Sequence, residues 1–428
     1  MIINKTVKNF VFVSMKNSHI SNNLKLSNEI IIGEENGQCF LVNKRTGDYF
    51  NIDKKNKKTI DEIGLGKVQK HITPFIKKLI KEGVVIDKNK KAGNDSFHIQ
   101  WHLTERCNLK CAHCYQEGKE VVELKQYEME KFVDHFVYVL KKQQMSGSIS
   151  LTGGEPLLLG DQLWNLIKYI RESDSDMEIT ILTNGTLITN EVADKLATYN
   201  IYCQISFDGH DKKTHDSIRG RGNFLKALDG VKILTKRNIP VSAHFVIMRQ
   251  NMDNIEKMIN FCVINGIKRL TFSRLVLLGR GHDLKNQMLS PIETRDIYKK
   301  IYALSKEVKD ELSINTGRTL WCNLDDSIGG TCPAGFSSLV VNADGSVYPC
   351  RRLPINVGNI LKNSIFEIWY GSDVMKNLRN RKKIDKCNSC KFIDKCGGCR
   401  AIAYAHFGDY MAADPQCWRN YSKLPLIK

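Results

Sequence analysis

The chain has no run of about 18 consecutive apolar residues, so no transmembrane helix is expected. Its start, MIINKTVKNFVFVSMKNSH, lacks an apolar segment followed by a small-residue cleavage site, which argues against a secretory signal peptide. Together these absences predict a soluble cytoplasmic protein. There is no low-complexity tract and no repeat at a solenoid period, and the 11 His form no two-His metal motif. Acidic residues are in deficit, 46 against 64 Lys+Arg, a net charge of +18. The hydrophobic share of 42% is enough to bury real cores, which excludes a disordered or fibrous chain. At roughly 150 residues per domain, 428 residues predict two or three domains.

What the chain does have is cysteine, 14 in all. A reducing cytosol disfavours structural disulfides, so this number points to metal ligation or catalysis. Nine crowd into two zones: Cys107, Cys111 and Cys114, then Cys332, Cys350, Cys387, Cys390, Cys396 and Cys399, with Cys417 trailing. Cys39 and Cys203 sit within strand patterns and Cys262 on an apolar helix stripe, where a free thiol packs as a small hydrophobe.

Residues 1–94 read as a small basic unit, with 18 Lys+Arg against 9 Asp+Glu. GQCFLVNKRTGDYFNI (37–52) reads as a hairpin turning at Arg45–Asp48. A helix carrying Phe75, Ile76, Leu79 and Ile80 follows, stopped by Gly83 before the strand Val84–Ile86. Strands, helices and a returning strand suggest a winged-helix-sized module, with KNKKAGN (88–94) as linker. From Phe97, strands alternate with helices, the mark of a parallel α/β domain. Six strands are expected: Phe97–Leu103, Ser148–Leu151, Glu178–Leu182, Tyr202–Phe207, Val241–Ile247 and Arg269–Phe272. Six units without an obvious seventh or eighth imply a partial (β/α)6 barrel over 95–310. Residues 311–428 lose the alternation, become Cys- and Gly-rich, and are expected to form a third, metal-organised domain.

The first strand is followed by Cys107-Asn-Leu-Lys-Cys111-Ala-His-Cys114. Three thiolates on one loop can hold three irons of a [4Fe–4S] cluster and leave the fourth open to chelate a substrate or cofactor. A loop at the C-terminal end of a barrel strand also faces the active-site mouth. Completion of a zinc site by His113 or His102 is the competing reading. Strand two ends in Thr152-Gly153-Gly154-Glu155-Pro156; the glycines let a ligand approach the backbone, and Glu155 can accept from an ammonium group. Strand three ends in Thr183-Asn184-Gly185. Strand four ends in Ile205-Ser206-Phe207-Asp208-Gly209, which would set Ser206 and Asp208 on one face, suited to ribose hydroxyls.

In this order and at these positions, the CxxxCxxC, GGEP, TNG and SFDG segments make residues from about 97 to 310 resemble a radical S-adenosylmethionine (SAM) domain. The resemblance implies a [4Fe–4S] cluster on Cys107, Cys111 and Cys114 whose open iron is chelated by SAM. It further implies that Glu155 meets the SAM amino group, Ser206 and Asp208 the ribose, His113 the adenine and Arg219 the carboxylate. Gly153, Gly154 and Asn184 would line the same site. Reductive cleavage would yield a 5′-deoxyadenosyl radical, with the electron coming from a flavodoxin- or ferredoxin-type donor.

The tail reads Cys332-x12-Gly345-x4-Cys350, then Cys387-x2-Cys390-x5-Cys396-x2-Cys399 and Cys417. Zinc ribbons also use paired CxxC. The pattern resembles a SPASM domain, which binds auxiliary [4Fe–4S] clusters. The resemblance assigns Cys332, Cys350 and Cys399 to one cluster and Cys387, Cys390, Cys396 and Cys417 to a second. Many members have three residues, not two, in the last gap of the four-Cys block. Seven cysteines fall one short of eight, and Cys322 could supply the eighth. The hairpin LVNKRTGDYFNI and the helices after it resemble the leader-binding (PqqD-like) module of peptide-maturing enzymes, which adds a leader peptide as a strand to a sheet edge. Nucleic acid is the competing partner for a basic unit, but no compact Arg/Lys recognition helix is apparent.

The combined expectation is a radical SAM/SPASM peptide maturase that makes a thioether from Cys to a carbon, with an auxiliary cluster taking the leftover electron or ligating a substrate thiolate. Carbon–carbon linkage and epimerisation stay open. Sulfatase maturation is a rival, although those enzymes typically carry Asp where Arg351 stands. Tetrapyrrole biosynthesis and a zinc-organised binding protein are the others.

Overall fold

The computed structural model describes residues 24–419 except 27–29, 36–37, 44–48, 66–72, 82–84, 88–95, 117–119, 144, 317–318 and 326–331. The expected turn at Arg45–Asp48, Gly83 and the 88–94 linker lie outside the described residues. The chain divides into two compact units, Met1–Asp95 and Ser96–Lys428.

In the first unit β1 (Leu24–Leu26), β2 (Ile30–Glu35), β3 (Gln38–Asn43), β4 (Tyr49–Ile52), α1 (Lys54–Gly64), α2 (Pro74–Lys81) and β5 (Val85–Asp87) follow in order. β1 pairs antiparallel with β5, while β2, β3 and β4 form an antiparallel sheet in that order. The expected hairpin is β3–β4, in register at Cys39 and Ile52. Leu24, Cys39, Leu41, Ile52, Ile60, Ile63, Ile76, Leu79 and Val85 share one small core, so Cys39 packs as an apolar residue. Asp53 opens α1 by accepting from the Asn56 amide at 2.8 Å, which satisfies one of the free N–H groups of the first turn.

The second unit is built on a ten-stranded sheet. Its parallel run comprises β6 (Ser96–His102), β7 (Ser146–Thr152), β8 (Glu178–Thr183), β9 (Tyr202–Ser206), β10 (Val241–Ile247), β11 (Arg269–Arg274) and β12 (Ser313–Asn315). Intervening helices are α3 (Gln126–Gln143), α4 (Asp161–Ser173), α5 (Asn190–Thr198), α6 (Lys212–Arg219), α7 (Asn223–Lys236), α8 (Ile255–Ile264) and α9 (Pro291–Glu307). The six expected strands are all present. On α3 the stripe Met129, Phe132, Val133, Phe136, Val137 and Leu140 is buried throughout, as its helical spacing predicts. Ser290 and Glu293 form a reciprocal capping box that starts α9.

Two features add to the expectation. β12 is a further parallel strand; at three residues it is too short to show a period in the sequence. Residues 311–428 also share the sheet of the preceding segment. β13 (Ser338–Val341) pairs parallel with β6 on its free edge, and β14 (Ser346–Tyr348) and β15 (Gly358–Asn359) extend the same sheet antiparallel. The remaining segment adds α10 (Asp373–Arg379) and α11 (Arg400–Phe407). Trp369 meets Phe97 of β6 edge-on at 4.8 Å between ring centroids, and the Ile365 amide donates to His135 of α3 at 3.2 Å. One apolar core runs through both segments.

Trp369 is 5% exposed at this seam, so Trp369→Ala should cost about 3–5 kcal/mol. Thermal denaturation of the anaerobic protein should then show the whole 96–428 unit melting earlier in one step. A separate early melt of the C-terminal segment alone would contradict a shared core.

Candidate active site

The C-terminal ends of the parallel strands open into a cavity of about 390 Å³. Its wall includes Cys107, Cys111, His113 and Cys114 from the loop after β6, Gly153 and Gly154 after β7, and Thr183 and Asn184 at the end of β8. Ser206 closes β9, and Val246 and Arg274 come from β10 and β11. The cysteine loop, GG, TN and Ser206 segments thus meet in one place.

Backbone contacts fix the thiol loop to the next strand end. Gly154 N donates to Thr104 O at 2.7 Å and Glu155 N to Arg106 O at 2.8 Å. A Cβ on Gly154 would lie 2.1 Å from Arg106 O, and one on Gly153, whose φ is +141°, 2.3 Å from Thr104 O. Both glycines are therefore needed for packing of chain on chain as well as for an open wall. On the other side Asn184 Nδ2 donates to Asn108 Oδ1 at 2.8 Å, and Asn108 Nδ2 donates to Thr186 Oγ1 at 2.9 Å. Asn108 and Thr186, absent from the expected site, complete the clamp; Asn108 lies inside CNLKC, but its partner could not be read from sequence.

Glu155 and Asp208 differ from expectation. Neither forms the cavity wall, and both are fully buried behind it. Glu155 accepts from Thr183 Oγ1 at 2.7 Å, Asn184 N at 2.8 Å and Leu157 N at 3.2 Å, which spends most of its acceptor capacity within the chain. Burial pushes its carboxyl up to about 7, against those three hydrogen bonds. Asp208 does not share the face of Ser206 because β9 ends at Ser206, and the two-residue alternation ends with it. Its Oδ2 accepts from Arg219 Nε at 2.6 Å and lies 2.7 Å from His113 Nε2, while Oδ1 accepts from Val246 N at 2.8 Å. Burial raises the Asp208 carboxyl, but Arg219 and His113 outweigh it and hold the group well below the ordinary carboxylate range. Arg219 thereby sits between Asp208 and the thiol loop, its Nη1 3.9 Å from Cys111 Sγ.

The thiols suit a cluster. None of the 14 cysteines is in a disulfide, and Leu109 N donates to Cys107 Sγ at 3.4 Å. Hydrogen bonds and cations aimed at sulfur stabilise and tune iron–sulfur ligation. Among the described residues no three His, Cys, Asp or Glu side chains converge tightly enough for a single metal ion; the three thiols are instead distributed around the cavity wall.

In the C-terminal segment the cysteines fall into two sets. Burial, with Cys350 and Cys399 nearby, pushes the Cys332 thiol up to about 12, which places these three together. Cys387, Cys390, Cys396 and Cys417 line a second, smaller cavity. Cys322 lies in the turn Trp321–Asn323, beside the second cavity, whose wall includes Leu320 and Asn323. Leu320 N and Gly398 N each donate to Cys396 Sγ at 3.3 Å. The neighbouring Cys322 thiol and these two amides hold the Cys396 thiol below its ordinary range despite burial. A buried ion pair joins the two regions: Arg274 at the end of β11 meets Asp414 at 2.7 Å, and Asp414 accepts from Cys399 N at 2.7 Å. Cys203 and Cys262 are in the apolar core, as their patterns suggest.

The geometry defines a parallel α/β sheet with a three-thiol loop at its mouth and a second cysteine-rich segment on its edge. Residues 101–262 match the radical SAM superfamily, and residues 332–391 match SPASM, an iron–sulfur cluster-binding domain. The chain is 30% identical over 342 residues to the AdoMet-dependent heme synthase of Methanosarcina barkeri, a match covering 74% of this chain and 95% of that protein. It is 28% identical to the antilisterial bacteriocin subtilosin biosynthesis protein AlbA of Bacillus subtilis, covering 66% of this chain and 61% of AlbA. The structure of Streptococcus suis SuiB bound to S-adenosylmethionine superposes with a TM-score of 0.62 at 18% identity, covering 92% of this chain and 100% of SuiB. The chain belongs to the radical SAM superfamily. Within it, this is a SPASM enzyme whose cofactors are SAM and [4Fe–4S] clusters. Among the described residues no helix is long and apolar enough to cross a membrane.

Gly154→Ala should displace the loop carrying Cys107, because a methyl group cannot fit against Arg106 O. Iron and sulfide analysis after anaerobic reconstitution should show the variant short by about one four-iron cluster per chain, with the SPASM complement retained. Full iron content in the variant would contradict the clamp.

Proposed function

We propose that this chain is a peptide maturase that joins a cysteine sulfur of a ribosomally made precursor to an acceptor carbon. The observation that carries this reading is the small antiparallel unit preceding the radical SAM body. The heme synthase match takes in 74% of the chain, whereas the SuiB structure takes in 92%, and SuiB has also been solved bound to precursor peptide SuiA. AlbA, named for subtilosin biosynthesis, supports a peptide substrate as well.

In this reading Cys107, Cys111 and Cys114 hold the SAM-binding cluster. When bound, SAM and that cluster supply a 5′-deoxyadenosyl radical, which takes a hydrogen atom from the substrate. Gly153 and Gly154 give SAM a wall without side chains, Ser206 offers a hydroxyl to the ribose, and Asn184 holds the loop edge. His113, oriented by Asp208, lies against the adenine. Arg219, fixed by Asp208, keeps a positive charge beside Cys111 and the SAM carboxylate. Glu155 steadies the 183–184 turn from behind the wall. Cys332, Cys350 and Cys399 hold one auxiliary cluster; Cys387, Cys390, Cys396 and Cys417 hold the other, with Cys322 beside them.

The leader docks on the first unit, where β2 and β4 are the edges of the three-stranded sheet. The net positive charge of residues 1–94 attracts an acidic leader, and tethering raises the local concentration of the core segment. A flavodoxin- or ferredoxin-type protein supplies the reducing electron. A second reading, tetrapyrrole modification, is favoured by the 30% identity to the heme synthase.

Anaerobic co-expression with a short peptide encoded beside the gene tests the proposal by mass spectrometry. Formation of a thioether removes one hydrogen from sulfur and one from carbon, so each crosslink should lower the peptide mass by two hydrogens, and fragmentation should place the bond at a cysteine. An unchanged mass without deuterium uptake from heavy water would overturn the peptide reading and favour the tetrapyrrole one.

A further inference from the structure

The Lys, Arg, Asp and Glu side chains on the wall of the main cavity are mostly cationic. Its wall carries Lys110, Arg219, Arg274, Arg280, Arg351 and Arg352, with Glu105 as the one carboxylate among the described lining residues. Three of the arginines are already engaged. Arg219 pairs with Asp208, Arg274 with Asp414, and Arg280 donates to Cys111 O at 2.9 Å. The consecutive pair after Cys350 differs. Arg352 donates one N–H to Arg274 O at 3.1 Å, and its Nε is buried with no acceptor. Among the described residues Arg351 has no carboxylate partner.

Arg351 shares this wall with Tyr115 and Arg352. Arg351 in turn acts on two buried histidines, His102 and His244, the second of which lines the cavity. Burial first, and Arg351 second, keeps both neutral. A guanidinium does not shed its proton in a protein, so donors of this pair that meet no acceptor within the chain are open to an anion entering the cavity. Two adjacent guanidinia offer the planar, forked donors that a carboxylate accepts best.

We propose that Arg351 and Arg352 form a receptor for a carboxylate of the substrate inside this cavity. The assignment deepens the proposed function and rests on its reading of the cavity as the reaction chamber. The source of the carboxylate is the peptide, as an acidic side chain close to the modified position. A tetrapyrrole propionate carries the same chemistry and would satisfy the same receptor. Arg351 is thereby a specificity-determining residue.

Calorimetric titration of the reconstituted, SAM-loaded holoenzyme tests this with two matched pairs of probes. One pair is acetyl-Gly-Cys-Glu-Gly-amide and its Gln counterpart; the other is coproporphyrin III and its tetramethyl ester. The Glu peptide should bind about tenfold or more tightly than the Gln peptide, the scale of one charge-assisted hydrogen-bonded pair. In Arg351→Met that preference should fall to about one, and in Arg351→Lys it should return in part. A preference unchanged in Arg351→Met would overturn the proposal and leave Arg351 to balance the charge of the cysteine set at Cys350. Loss of SAM affinity in place of probe preference would overturn it by assigning Arg351 to SAM. No preference for either acidic probe would also overturn it. An Arg351-dependent preference only within the porphyrin pair would support the receptor and overturn its peptide source. Failure of the wild-type holoenzyme to form 5′-deoxyadenosine from SAM would instead strike the underlying reading of the cavity.

Discussion

The approach of Gly154 to the carbonyl of Arg106 is the contact on which the site depends. No side chain fits between them, and the amides of Gly154 and Glu155 bond across the same gap to Thr104 and Arg106. Three thiols on an irregular loop would otherwise sample many arrangements. Here the loop is pinned to β7 by backbone and to the end of β8 by Asn108 and Asn184. Because β6, β7 and β8 are parallel neighbours, pinning the loop to the next two strand ends sets its thiols over the cavity they share.

Charge is organised on the same scaffold. Asp208 gives up contact with the cavity to fix Arg219 and His113, so its contribution is to orient the groups that do line the wall. Arg274 and Asp414 do the equivalent at the seam with the cysteine-rich segment, where Asp414 also receives the amide of Cys399. Both are buried pairs whose partners would be costly to strand, so they tie the barrel mouth and the second cysteine region into one cooperative arrangement. The shared sheet and core join residues 311–428 to the parallel strands.

Much of this was legible in the sequence because it follows from short periods and local motifs. The six long parallel strands carry apolar residues in continuous or alternating runs, and α3 carries its stripe at helical spacing. The cysteine loop and the segments at successive strand ends could be placed because a parallel strand delivers its C-terminal loop to one side of the sheet. Side-chain direction beyond a strand end could not. Asp208 lies past the last residue of β9, where alternation gives no guidance, and Glu155 turns back to the amide of Asn184. Long-range pairings such as Arg274–Asp414 leave no local trace. The short β12 is too brief for a period, and the parallel pairing of β13 with β6 depends on tertiary placement. Cys322 could be counted as an eighth thiol but not assigned, since its neighbour Cys396 is 74 positions away (396 − 322 = 74).

In the proposed function the thiol loop at the mouth of the sheet is where SAM is cleaved. Its most direct test is the yield of 5′-deoxyadenosine from SAM under dithionite, comparing the wild-type holoenzyme with the Cys107→Ala, Cys111→Ala, Cys114→Ala triple variant, whose C-terminal cysteines are intact. The account predicts formation by the wild type and none above background by the variant. Continued formation by the variant would contradict it.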